Sequence, residues 1–369
     1  DLMMKNDAKF KLDAEFEEMK RTIEKPNVLL VGGTGVGKSS LLNLCFGEQF
    51  AQTGIGKPVT EEIQKFSKPD FPVVIYDTKG YEVGSAQEKD FLDKVVGFCI
   101  EPKEDVAQKI HLAWYCIQVS GARITDFDIK TIRQIQAGKV PLALVLTKAD
   151  LISDEDAIAF RQAILAELPN VPIFETSIEP TLHGLQLNDL ILWSIEHLPE
   201  ALQIGFVAAQ RLNLEAKRQQ ATKAIKQHAA GAAAVGLSPI PFSDAPILLA
   251  NQYALAARIM YIYSLDGLES KFSILLKTTI ANILPTLGKY SVAQLVKFFP
   301  ILGTIAGGMI NAAVASGITL TFGYAISKTC ATLYEIMLER SLEDLEDFLK
   351  NVDSYFMSAF AEASKKQGE

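Results

Sequence analysis

Eight consecutive residues carry the most specific chemistry in the chain: Gly32-Gly33-Thr34-Gly35-Val36-Gly37-Lys38-Ser39. They fit the pattern GxxxxGK[ST], preceded by the apolar run Val28-Leu29-Leu30-Val31 and followed by a helical pattern. Glycines in such a loop let successive backbone N–H groups curl around phosphate oxygens, and the helix that follows aims its positive end at them. Lys38 is then placed to neutralise β- and γ-phosphate oxygens, and the Ser39 hydroxyl to ligate magnesium. The expected cradle is Gly33, Thr34, Gly35, Val36, Gly37, Lys38, Ser39 and Ser40.

Further elements follow at the distances this chemistry needs. Asp77-Thr78-Lys79-Gly80 ends a strand-like run and reads as DxxG, its aspartate holding magnesium and the Gly80 amide sensing the γ-phosphate. Thr147-Lys148-Ala149-Asp150 reads as [NT]KxD. A carboxylate at Asp150 accepts two hydrogen bonds from guanine N1 and N2, which adenine cannot supply. Ser177 and Ile178, after another strand, are expected to offer a backbone contact to guanine O6. Thr60, directly before a β-like stretch, is the expected switch threonine that closes on magnesium. The metal set is thus Ser39, Thr60 and Asp77, and the residues acting on the reaction are Lys38, Thr60 and Gly80. The ligands implied are GTP or GDP and Mg2+.

These motifs require strands that deliver loops to one edge of a sheet. Apolar runs at 28–31, 73–76, 112–117, 142–146 and 171–174 suit buried parallel strands. Helical patterns lie between them, near 38–47, 87–100, 126–137, 154–168 and 185–198. This alternation predicts a doubly wound, mostly parallel α/β P-loop domain with its ligand at the strand carboxyl ends. Before it, Leu12, Phe16, Met19 and Ile23 form one stripe of a helix over 7–24, ended by Pro26. After Leu198 the pattern is helical only. The expected division is an N-terminal helix (1–26), a nucleotide-binding domain (27–199) and an all-helical domain (200–369). A single closing helix is expected over 329–362, with Leu338, Leu342, Leu345, Leu349, Val352, Phe356 and Phe360 on its seam.

The motif set resembles the G domain of translation-factor-class GTPases over residues 27–199, nearest to the Era-like, septin-like and immunity-related branches. GGTGVGKSS and TKAD resemble the septin and immunity-related proteins in particular. The resemblance implies GTP hydrolysis, magnesium dependence and pairing of G domains across their nucleotide faces. Two positions depart from the family pattern. Thr147 replaces the more frequent Asn, and Tyr81 stands where Ras-like members carry the glutamine that orients water. Tyr81 predicts slow intrinsic hydrolysis, which a second G domain is expected to speed; the candidates in this chain for direct help are Thr34, Arg123 and Glu82, with none singled out. Gly236-Leu237-Ser238-Pro239-Ile240-Pro241, Asp244 and Pro300-Ile301-Leu302-Gly303 resemble a hydrophobic helical domain fused to Era-like GTPases in many bacteria.

Bulk composition bounds the rest. At 369 residues the chain is long enough for two cores, and its mean hydropathy is +0.16. Residues 1–199 hold 21 basic and 30 acidic residues, against 15 and 14 in 200–369, so no nucleic-acid partner is expected. Cys45, Cys99, Cys116 and Cys330 lie far apart and the four histidines form no ligand spacing, which fits a reducing cytoplasm rather than zinc or disulfide scaffolding. Residues 298–327 hold no charge between Lys297 and Lys328, longer than the roughly 20 residues that span a bilayer. That stretch reads either as a buried hairpin of a helical domain or as a hairpin entering a membrane. Arg211, Lys217, Arg218, Lys223 and Lys226 beside the apolar 229–236 run fit an anionic membrane at its cytoplasmic face. Three functions compete: a GTPase switch moving a helical effector domain, a septin-like GTP-holding polymer, and a ribosome- or RNA-linked assembly factor.

Overall fold

A computed structural model describes residues 2–47, 56–80, 88–121, 123–235, 244–265, 277–282, 312–339 and 341–368. Two compact units result, one from 23–213 and one from 1–22 with 214–369. Tyr81, Glu82, the 236–241 run and residues 298–311 of the uncharged stretch lie outside the described residues.

In the α/β unit, seven strands run in the order β2-β3-β4-β1-β5-β6-β7. They are β1 (Asn27–Val31), β2 (Lys57–Pro58), β3 (Ile63–Phe66), β4 (Val74–Thr78), β5 (Leu112–Gln118), β6 (Leu142–Thr147) and β7 (Ile173–Glu175). From β4 to β7 the pairing is parallel, and β2 and β3 join as an antiparallel edge. Between them lie α2 (Lys38–Phe46), α3 (Glu88–Ile100), α4 (Asp126–Ala137) and α5 (Asp154–Glu167), and after β7 come α6 (Leu187–His197) and α7 (Glu200–Ala209), which closes the unit. The central strands alternate between two cores: Leu29, Val31 and Tyr115 face one layer of helices, and Val28, Leu30 and Trp114 the other.

The α/β unit extends past the expected boundary at 199 because α7 completes its second core. Phe206 of α7 meets Phe46 and Trp114 edge-on, with ring centroids 5.9 and 6.2 Å apart, while Phe46 stacks on Trp114 at 6.1 Å. Trp114 Nε1 donates to Ser194 Oγ at 3.0 Å, so the buried indole keeps a partner. This aromatic cluster lies beneath the helix that begins at Lys38.

The helical unit contains α1 (Leu2–Thr22), α8 (Leu214–Val235), α9 (Asp244–Ile262), α10 (Ala312–Glu339), α11 (Leu342–Lys350) and α12 (Val352–Gly368). Its amino-terminal helix is therefore part of the same body as its carboxy-terminal helices, and the α/β unit is an insertion between them. Gly323 allows α10 to approach α8: a Cβ there would stand 2.7 Å from Ile225. The single helix expected over 329–362 is instead three. Ser341 and Asp344 form a capping box that starts α11, and a second break follows at Asn351. Leu338 and Leu342 are consequently 51% and 63% exposed, whereas Leu345, Leu349, Phe356 and Phe360 are buried.

The basic face expected on α8 is interrupted as well. Lys217 is fully buried and donates to the Ile262 carbonyl at 2.9 Å, satisfying the end of α9. Among the described residues, no helix is long and apolar enough to cross a membrane.

Candidate nucleotide-binding site

The loop from Gly32 to Gly37 joins β1 to α2. Gly35 and Gly37 take φ of +74° and +102°, where a side chain is strained. A Cβ on Gly32 would meet the Cys116 carbonyl oxygen at 2.7 Å. Glycine is thus required for the loop to curl and for β5 to pass beneath it. Lys38 is buried, its ammonium donating to the Gly32 and Gly33 carbonyls at 2.9 and 3.3 Å. Ser39 is exposed at the first turn of α2.

β6 and β7 deliver the second half of the site. Thr147 Oγ1 donates to the Val36 carbonyl, and Lys148 Nζ to the Gly35 carbonyl at 2.7 Å. The side chain that departs from the usual Asn therefore still fastens this strand end to the phosphate loop. Lys148 adopts a left-handed backbone (φ +56°), which turns the chain so that Asp150 follows at the surface. Ser177 Oγ donates to Asp150 Oδ1 at 2.5 Å and accepts from Glu179 N at 3.0 Å. Gly37, Ser40, Leu44, Thr147, Ser177 and Ile178 line one shallow concavity, bringing phosphate-loop and base-reading residues together.

Asp77 stands near the end of β4, beside the phosphate loop. Among the described residues its buried Oδ1 has no hydrogen-bond partner. Burial pushes the carboxyl up to about 6, an effect that the Lys38 charge partly offsets. An orphaned, buried, anionic oxygen near an exposed Ser39 is the donor chemistry of a hard divalent cation, so these residues fit magnesium. Gly80 presses on the tip of the loop: a Cβ there would stand 2.1 Å from Thr34 Oγ1 and 2.4 Å from Thr34 N.

Thr60 is not brought to this cluster. It lies in the turn between β2 and β3, its Oγ1 accepting from Glu62 N and Ile63 N at 3.2 and 3.1 Å. Arg123 is exposed in the loop before α4. One residue that sequence reasoning missed is Gln118, whose Oε1 accepts from Lys148 Nζ at 2.9 Å and holds that lysine over the loop. A polar side chain at the carboxyl end of a buried strand was the available signal.

Residues 27–148 match a protein-family model described as 50S ribosome-binding GTPase. Septin-8-A of Danio rerio is 27% identical over 164 residues, covering 38% of this chain and 39% of the septin. GTPase Era of Alkaliphilus metalliredigens is 26% identical over 180 residues, 48% of this chain and 57% of that protein. The chain thus spans between two-fifths and three-fifths of the length of these relatives. Among solved structures, elongation factor SelB of Methanococcus maripaludis in complex with the GTP analogue GppNHp aligns with a TM-score of 0.33 and 17% identity, over 48% of this chain and 35% of that one. Motif order, the parallel sheet that carries it and the family match together identify the α/β unit as a P-loop GTPase domain of the translation-factor class.

Proposed function

We propose that the chain is a guanine-nucleotide switch that hydrolyses GTP slowly, and that the G domains of two copies pair across their nucleotide faces to complete the reaction. The observation that carries this reading is the convergence of three strand ends on one loop. Thr147 and Lys148 are fastened to Val36 and Gly35, Ser177 orients Asp150, and Asp77 presents an unpartnered oxygen beside the same loop.

In this reading Gly33 to Ser40 hold the phosphates through backbone N–H groups and the Lys38 ammonium, which leaves its loop carbonyls for phosphate oxygens. Asp150, Ser177 and Ile178 select guanine. Ser39 and Asp77 hold magnesium, which when bound neutralises charge on the β- and γ-phosphates. Thr60 joins them only after its turn rearranges, and Gly80 reports the γ-phosphate through its contact with Thr34. Pairing of G domains is supported by exposed apolar side chains beside the base-reading segments: Leu151 and Ile178 are 60% and 62% exposed, and Leu182 and Leu185 are 37% and 39% exposed.

The switch acts on the helical unit at the cytoplasmic face of an anionic membrane. Lys226, exposed on α8, is one contact, whereas the buried Lys217 is not. Phosphate release measured against protein concentration tests the proposal. Specific activity should rise as the protein is concentrated, by up to about 10³-fold when pairing supplies the missing group. A tightly held nucleotide with no turnover at any concentration would favour the septin-like structural role instead.

A further inference from the structure

We propose that the helical unit carries a second small-molecule site, suited to a phosphate ester with a hydroxylated body such as a sugar phosphate. The observation is a cavity of about 570 Å³ over α10, flanked by α8 and α12, within the size range of small-ligand pockets. Every lining residue belongs to the helical unit, so the cavity is separate from the nucleotide site.

The cavity exists because the facing positions are small. Ala359 and Ala363, one turn apart on α12, oppose Ala331 of α10, where larger side chains would close the seam. Its lining chemistry is specific. Arg218, Lys328 and Lys366 supply three cations, and Glu362 is the one carboxylate in the lining among the described residues. Lys328 and Lys366 share that carboxylate at 2.5 and 3.4 Å, and Glu335 and Glu215, both outside the lining, hold Arg218 at 3.0 and 3.8 Å. Exposed ion pairs of this kind are weak, and a guanidinium and two ammonium groups exchange them readily for a phosphate.

Hydroxyl groups complete the lining. Tyr263 and Ser327 share a buried hydrogen bond at 2.9 Å, while the Thr222 and Tyr324 hydroxyls have no hydrogen-bond partner among the described residues. An acyl chain would leave these hydroxyls stranded against hydrocarbon. A polyol body satisfies them, and the phosphate reaches the cations.

The test uses the full chain saturated with magnesium and GDP, so that the phosphate loop cannot report. Ribose 5-phosphate and glucose 6-phosphate are titrated by calorimetry, with ribose, glucose and inorganic phosphate as comparisons. At least one ester should bind, more tightly than inorganic phosphate, and neither free sugar should. Arg218→Gln and Lys366→Gln should each weaken that binding about tenfold, while Ala363→Leu should abolish it by filling the cavity; GDP affinity should stay unchanged in all three. Should the leucine variant fail to fold, the two exposed cation variants decide. The proposal is overturned if neither ester binds at concentrations up to about 10 mM, if inorganic phosphate binds as well as the esters, or if the cation variants bind like the parent.

Discussion

Replacing Asp77 with Asn tests the metal assignment through stability as well as binding. The substitution keeps shape and removes charge from a side chain whose Oδ1 is buried and unpartnered. Folding raises the carboxyl from the ordinary aspartate range to about 6, mainly through burial. The folded state therefore binds its proton more tightly than the unfolded state does. The stability this group contributes is fully present below the ordinary aspartate range and is lost as pH rises past 6. At neutral pH a shift of this size corresponds to about 3 kcal/mol, and residual solvent screening reduces it to about 1–3 kcal/mol. In EDTA and without nucleotide, Asp77→Asn should thus be more stable than the parent by about 1–3 kcal/mol at neutral pH, with little difference near pH 4. Adding magnesium and GDP should stabilise the parent far more than the variant, because the carboxylate that the metal neutralises is gone. Urea unfolding followed by tryptophan fluorescence reads this out cleanly, since both tryptophans, Trp114 and Trp193, lie in the α/β unit. Equal stability of the two proteins at neutral pH, or equal stabilisation by magnesium and GDP, would refute the reasoning.

Three further substitutions probe the same domain. Asp150→Asn should weaken GTP binding by about 3 kcal/mol, from two charge-assisted hydrogen bonds, and shift preference toward xanthine nucleotides; competition among GTP, ATP and XTP measures it. Gly80→Ala forces a Cβ into the Thr34 backbone and should destabilise the nucleotide-free domain by about 1–3 kcal/mol, measured by thermal unfolding. His111 accepts from Asn27 N at 2.8 Å through Nδ1 and donates through Nε2 to the Val106 carbonyl at 2.9 Å, a neutral ring whose pKa burial lowers. The unfolded state then binds more protons through the ordinary histidine range, so stability should fall as pH drops from about 7 to about 5. His111→Leu should flatten that component and, by stranding the Asn27 N–H, cost about 1–3 kcal/mol at neutral pH; urea titrations across pH separate the two effects.

The parallel core was legible because its strands are buried on both faces and read as continuous apolar runs, as at Leu142 to Leu146. The β2–β3 edge was legible only as the β-like stretch after Thr60: Lys57-Pro58 carries no apolar run, and the antiparallel pairing is fixed by β4 rather than by local composition. Motif residues at strand ends were legible from spacing alone. Gln118 was not, because its partner Lys148 is 30 residues away. The helical pattern after Leu198 did not report burial: Lys217 sits on a basic stretch in sequence, yet tertiary packing turns it inward onto the α9 terminus. The seam from Leu338 to Phe360 kept its three-and-four stepping through two helix breaks. Capping at Ser341 was the local signal that outweighed it.

The chain passes between its two units twice, and both passages are held by elements that carry the nucleotide chemistry. The first, after Thr22, runs past Lys25, whose ammonium donates to the Lys68 and Pro69 carbonyls at 2.8 and 3.1 Å in the segment leading to β4 and Asp77. Gly205 of α7 sits against the same passage: a Cβ there would meet the Pro72 carbonyl at 2.9 Å and Pro26 Cδ at 3.1 Å. The second passage follows α7. Arg211 N donates to the Cys45 carbonyl at 2.9 Å, and the Arg211 guanidinium fills the space over Gly47, where a Cβ would stand 2.4 Å from it. Gly47, at φ +102°, ends the helix that begins at Lys38. The buried Gln210 then fixes the turn, accepting from Leu212 N and Asn213 N and donating to the Asn213 carbonyl. In the proposed switch, a displacement at Lys38 or Asp77 would move α2 and β4, because close-packed interiors shift as units rather than deform. α2 ends beneath Arg211, three residues before the helical unit resumes at Leu214, and the segment leading to β4 holds Lys25, three residues after Thr22. The proposed switch therefore has two covalent routes to its effector, one from each side of the phosphate site.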